Sequence, residues 1–152
     1  MGTKSTGRAG IGTQLQVGDG ASPEVFATIA NVTQISAGGV TVNMIDATHL
    51  DSPDFYAEFI PGLKTADEWT ATLQYDPSNA THNGSTGLRK QMEDRTAAVY
   101  RINTSAIGMS ESIYAECYVS QLGNAEFSPE GIITQSLTLK PTGKPYTLPN
   151  TP

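Results

Sequence analysis

The sequence predicts a mostly β domain: a β-sandwich or partial barrel of antiparallel strands, with one flanking α-helix at about 85–95 and one long inter-strand loop at 45–65. Three observations carry that expectation. Apolar residues alternate with polar ones at a period of two through most of the chain, and Gly, Pro, Asn and Asp punctuate the runs. Only one segment carries a helical period. The length, 152 residues, suits a single core that buries roughly 68–70% of the surface its unfolded chain would expose.

Taken in order, Leu15 and Val17 alternate with Gln14 and Gln16 before a Gly18-Asp19-Gly20 turn. That tripeptide reads as a hairpin turn more readily than as a phosphate cradle. The β-branched and aromatic residues of 25–35 supply one or two further strands, which Gly38-Gly39 ends. Val40, Val42 and Met44 then share one face of a half-buried strand. The same pattern places Trp69, Ala71, Leu73 and Tyr75 together, Val99 to Ile102 in one strand, and Ile113, Ala115, Cys117 and Val119 on a common face. In the last strand, at about 132–139, Ile133, Leu137 and Leu139 oppose Thr134, Ser136 and Thr138. Trp69 is either core or a buried interface anchor at this level.

The helix follows a turn-forming Asp76-Pro77-Ser78-Asn79 run. Leu88 and Met92 repeat at i,i+4 on its apolar side, with Arg89 to Glu93 and Lys90 to Asp94 as exposed pairs. So narrow a stripe places the helix across an open face or end of the sheet. Residues 1–12 are glycine-rich and 141–152 proline-rich, so the domain is expected at 13–140 with an arm on either side. Each arm is either disordered or ordered against a neighbour.

Composition excludes several classes. Cys117 is alone, so no intrachain disulfide exists, and on an apolar face it reads as a small core residue. No apolar run is long enough to span a bilayer, and no signal-peptide pattern opens the chain, so the four Asn-x-Ser/Thr sequons are read as chance and the protein as cytoplasmically made. Net charge is -6, and seven of the fifteen acids lie at Asp46, Asp51, Asp54, Glu58, Asp67, Glu68 and Asp76, a stretch with Lys64 as its one base. Such a balance disfavours adhesion to nucleic acid, which draws affinity from Lys and Arg displacing counterions. Lys4 and Arg8 make the opening segment basic.

The stretch at 45–65, IDATHLDSPDFYAEFIPGLKT, is long for a connection and too greasy for water. Leu50, Phe55, Tyr56, Phe59, Ile60 and Leu63 need cover, yet Pro53, Pro61 and Gly62 argue against one long core strand. They cover the domain's own core or await a partner, and the second reading is preferred because a contiguous exposed apolar patch marks an interaction site. Asp46, His49, Asp51 and Asp54, with Ser52 nearby, have the residue types of a metal or acid–base cluster. They sit in one proline-interrupted segment with His82 as the only other imidazole, so a loop-shaping role for His49 or Asp51 is the better reading. No Walker loop, G-x-S-x-G elbow or C-x-x-C pair occurs, and no catalytic residue, metal or cofactor is assigned. Tyr100, Tyr114 and Tyr118 suggest an alternative, an aromatic platform on a carbohydrate-binding or adhesion module.

The order and spacing of Asp46, His49, Asp51-Ser52-Pro53, Phe59-Ile60-Pro61-Gly62-Leu63 and Tyr75-Asp76-Pro77 closely resemble the central segment of major tail tube proteins of long, non-contractile, lambda-like bacteriophage tails. The likeness extends to Gly12-Thr13 and to Leu139-Lys140-Pro141-Thr142-Gly143. The resemblance implies a non-enzymatic virion protein, made in the bacterial cytoplasm, whose hexameric rings stack into a hollow tube for DNA ejection. A tail terminator or decoration protein is the nearest virion alternative. Its implied partners are further copies of itself, the tape measure, terminator and tail-tip proteins, and DNA passing without specific binding, with no membrane. On this reading the inter-subunit interface comprises Asp46, His49, Leu50, Asp51, Phe55, Tyr56, Phe59, Ile60 and Leu63, and the basic arm with Lys4 and Arg8 reaches the next ring. The resemblance also implies an acidic lumen. With a Debye length of about 8 Å, net charge does not locate it, and no lumen-facing acid is assigned.

Overall fold

A computed structural model describes residues 2, 5, 7–123 and 125–150. Its ten strands are β1 (Gln14–Gly18), β2 (Phe26–Thr28), β3 (Val32–Ser36), β4 (Val40–Asp46), β5 (Phe59–Ala66), β6 (Trp69–Gln74), β7 (Ala98–Asn103), β8 (Glu111–Leu122), β9 (Thr134–Pro141) and β10 (Tyr146–Pro149). One helix, α1 (Leu88–Asp94), lies between β6 and β7. The fold is therefore mostly antiparallel β with a single flanking helix.

Eight strands form one sheet in the order β2-β1-β7-β8-β9-β6-β3, with β10 also paired to β8. The chain between the two end strands turns that sheet back on itself. β2 pairs with β1, and β3, only three residues further on, pairs with β6 at the other end. The corner at 29–31 is bonded to both sides: the Ile29 amide donates to Leu15 O at 2.9 Å, and the Gln74 amide donates to Asn31 O at 2.8 Å. The corner thus brings the two end strands, β2 and β3, near each other without pairing them. The corner is held from outside by His82, whose Nε2–H donates to Ala30 O at 2.7 Å, while Thr81 Oγ1 accepts from the Ala30 amide at 3.1 Å.

Inside lies one core, built from the alternating faces that the sequence marks. Leu15, Trp69, Ala71, Leu73, Tyr100, Ile102, Ala115, Cys117, Val119, Leu137 and Leu139 are buried in a common cluster with Leu88 of the helix. Trp69 is therefore core and not an interface anchor. The helix is shorter than the expected 85–95, and Leu88 is its only buried residue; Met92 is 40% exposed, so the expected i,i+4 stripe narrows to a single anchor. Lys90 and Asp94 make their i,i+4 pair at 2.8 Å. Gly87 lets the helix start close to 81–83, since a Cβ there would meet Thr81 C and the amide nitrogens of His82 and Asn83 within 2.6 Å.

Two expectations about the remaining chain are corrected. The proline-rich segment beyond 140 does not leave the domain: Pro141 closes β9, and Tyr146–Pro149 pairs along the first half of β8, where β9 no longer reaches. Asn150 fastens that return, donating from Nδ2 to Met109 O at 2.8 Å and accepting from the Ser112 hydroxyl at 2.6 Å. β4 is not half-buried either; all seven of its residues are exposed. It pairs with β5 alone, in a separate two-stranded sheet that no second layer covers.

Candidate functional site

The segment expected as a loop is largely a projecting β-hairpin. β4 and β5 pair from Val40↔Ala66 at the base to Asp46↔Phe59 near the tip, with a register shift between Val42 and Met44. The shift sets Asn43 against Gly62 and Leu63, next to Pro61, which pairs with Met44, and it is how a strand accommodates residues that argue against a regular ladder. At the base, Gly38 lets the chain turn tightly out of the main sheet: a Cβ there would lie 2.5 Å from the carbonyl oxygens of both Asp67 and Glu68.

The tip, 47–58, is tied by side chains. Asp46 Oδ1 accepts from the Thr48 amide at 2.9 Å, and Thr48 Oγ1 accepts from the Glu58 amide at 2.9 Å. Bonding from Thr48, first its side chain and then its backbone, holds the Asp46 carboxyl below its ordinary value. Ser52, the one buried residue of the tip, accepts from the His49 amide at 3.0 Å and donates to Glu58 Oε2 at 2.6 Å. His49 Nδ1 accepts from the Asp51 amide at 3.1 Å, which leaves its Nε2–H facing the same carboxylate at 3.4 Å. Asp54 and Phe55 both carry positive φ, 53° and 63°, a conformation uncommon for non-glycine residues.

This network shapes the loop and does not arm a nucleophile. The Ser52 hydroxyl is spent on a carboxylate, the imidazole faces that carboxylate rather than the hydroxyl, and the Asp51 residue contributes its backbone rather than its side chain. Among the described residues no three His, Cys, Asp or Glu side chains converge as metal ligands. Thr48 and Glu58 are the residues that sequence reasoning missed as tip organisers. The Asp46-Ala47-Thr48 spacing, an aspartate two residues before a hydroxyl amide, is the signal that would have found the first.

What the tip presents is apolar. Leu50 is 99% exposed, Phe55 97% and Leu63 83%, while Tyr56, Phe59 and Ile60 are more than half exposed. None of them covers the chain's own core. Val40, Val42, Met44 and Ile45 extend the exposed apolar surface down β4. Of the basic arm, Lys4 lies outside the described residues, and Arg8 sits beside the turn at Gly108. The tyrosine platform is overturned: Tyr100 is fully buried in the core and Tyr114 is covered, stacked on Tyr146 at 5.3 Å between ring centroids. Only Tyr118 of the three reaches solvent, because Tyr100 points to the opposite face of the sheet from the other two.

A family model described as lambda phage tail tube protein matches residues 11–148. Among curated proteins no sequence matches the chain. Several solved structures share its fold. A chain from the virion of a native gene transfer agent particle is 13% identical with a TM-score of 0.69, over 93% of this chain and 99% of that one. A chain from the cap that terminates the anti-feeding prophage tube is 12% identical with a TM-score of 0.69, over 97% and 95%. The SPP1 tail tube protein is 12% identical with a TM-score of 0.62, over 91% and 77%.

Proposed function

The chain belongs to the lambda phage tail tube protein family, structural components of the virion tail, and on that premise we propose that its β4–β5 hairpin is the element that joins one copy to the next. The observation that carries the proposal is the exposure of Leu50, Phe55, Tyr56, Phe59, Ile60 and Leu63 on a stiff projection with no cover from its own chain. Soluble domains rarely leave so many large apolar side chains open on one hairpin, and a second copy supplies the missing layer. Asp46, His49 and Asp51 serve the interface by fixing the tip, so that the ordering cost of docking is met within the subunit. The copies form rings, hexameric in this reading, that stack into a hollow tube, capped by terminator and tail-tip proteins and threaded first by the tape measure and then by DNA. DNA passes along the lumen without specific binding, and the role includes no reaction.

The Phe59→Asp substitution tests this. Phe59 is more than half exposed, so the variant is expected to remain a folded monomer by circular dichroism and gel filtration, and to form no tubes in negative-stain electron microscopy under conditions where the unaltered chain does. Tubes of ordinary length from the variant refute the assignment.

A further inference from the structure

We propose that the hairpin tip of one copy docks in a lysine-lined groove at the hairpin base of another. The proposal rests on the tube-subunit reading and deepens it by naming the receiving surface. The groove, about 570 Å³, lies between the base of the hairpin and the turn from β9 to β10. Val40, Ala66, Pro141 and Pro145 give it an apolar lining, and Lys64 and Lys144 stand in its wall. No acid lines it. The nearest carboxylate along the chain, Asp67, accepts from the Thr41 hydroxyl at 3.1 and 3.2 Å. Among the described residues neither lysine pairs with a carboxylate.

The tip is the chemical complement of this groove. It carries Asp51, Asp54 and Glu58, with Asp46 at its edge and no lysine or arginine, and it projects Leu50 and Phe55 almost wholly into solvent. A volume within the roughly 300–1,000 Å³ of sites that enclose drug-sized groups takes one or two such side chains. The lysines then meet the carboxylates at the rim, where charge sets register and partner choice. The two surfaces cannot meet within one chain. β4 alone has seven residues, which at about 3.3 Å each hold tip and groove roughly 20 Å apart, and its pairing with β5 keeps it extended. Each copy therefore offers two different, mutually complementary patches at opposite ends of one hairpin. Used once with each neighbour, such a contact is heterologous and repeats head to tail, in a ring or along an axis.

Charge reversal tests the pairing with every partner present. Lys64 and Lys144 are exposed, as are Asp51 and Asp54, so Lys64→Glu/Lys144→Glu and Asp51→Lys/Asp54→Lys chains are expected to fold, checked by circular dichroism. Each variant alone should need a concentration at least about tenfold higher to polymerise in 0.15 M salt, because like charges then face each other. Mixed in equal amounts, the two should polymerise again, since the reversed groove of one suits the reversed tip of the other. Recovery on mixing supports the proposal. Unchanged polymerisation of either variant overturns it, and so does loss in both without recovery on mixing. If the unaltered chain forms no tubes under any condition, the tube-subunit reading fails instead.

Discussion

Removing the two most exposed apolar side chains of the tip separates assembly from folding. Leu50 and Phe55 are 99% and 97% exposed in the single chain, so a Leu50→Ser/Phe55→Ser variant removes almost no contact that the fold itself uses. Its stability is expected within about 0.5 kcal/mol of the unaltered chain, and for a domain of this size the melting temperature within about 2 °C. Assembly is another matter. Full burial of each such side chain is worth about 1.5–3 kcal/mol, and of the pair about 3–6 kcal/mol. At about 1.4 kcal/mol per factor of ten, the concentration at which tubes appear rises by roughly 10² to 10⁴. The lower end is the expectation, because immobilising tip side chains on docking offsets part of the gain. Sedimentation of polymer across a dilution series reads the threshold, and thermal unfolding of the unassembled chain reads stability. A threshold unchanged within about threefold refutes the reasoning. A melting temperature lowered by more than about 5 °C refutes it differently, by showing that these side chains already lie against their own domain.

Three further outcomes follow. Burial first, and the nearby Glu116 charge second, push the Cys117 thiol up to about 12 from an ordinary 9.0, so at pH 8 its thiolate is depleted about a thousandfold. Reaction with a disulfide reagent should be at least about a hundredfold slower folded than in denaturant; equal rates refute the core placement. Because the folded value lies above the unfolded one, the stability linked to this thiol is complete below about pH 9 and declines as pH rises toward 12. Deleting residues 1–12 removes Lys4 and Arg8, and if the arm reaches an acidic patch of the next ring, tubes should shorten and their assembly should respond less to salt; identical length and salt response would remove the arm from the interface.

Much of this molecule was legible from residue order because its signals are local. The alternation of Trp69, Ala71 and Leu73, or of Ala115, Cys117 and Val119, depends only on successive side chains of a strand pointing to opposite faces, and each of these residues is in the core. The greasy character of 45–65 was likewise plain, since no arrangement of Pro53, Pro61 and Gly62 allows it to serve as one central strand. The Tyr100 error has the same root. Period two assigns residues to two faces, but it does not say which face is inward when both carry aromatic groups.

The chain order alone determined a mostly antiparallel β domain, one helix near 90, and an apolar segment at 45–65 too broken to serve as one core strand; that this segment is left uncovered by its own core is seen only in the structure. Tertiary structure decided the rest: that 59–66 pairs with 40–46 as a hairpin, that 146–149 returns to β8, that 29–31 is the corner joining the ends of the sheet, and that Lys64 and Lys144 share a groove. The physical reason is the range of the interactions. Alternation and turn chemistry act between neighbours in sequence, whereas register, strand order and the meeting of two lysines eighty positions apart depend on contacts that exist only once distant strands have paired.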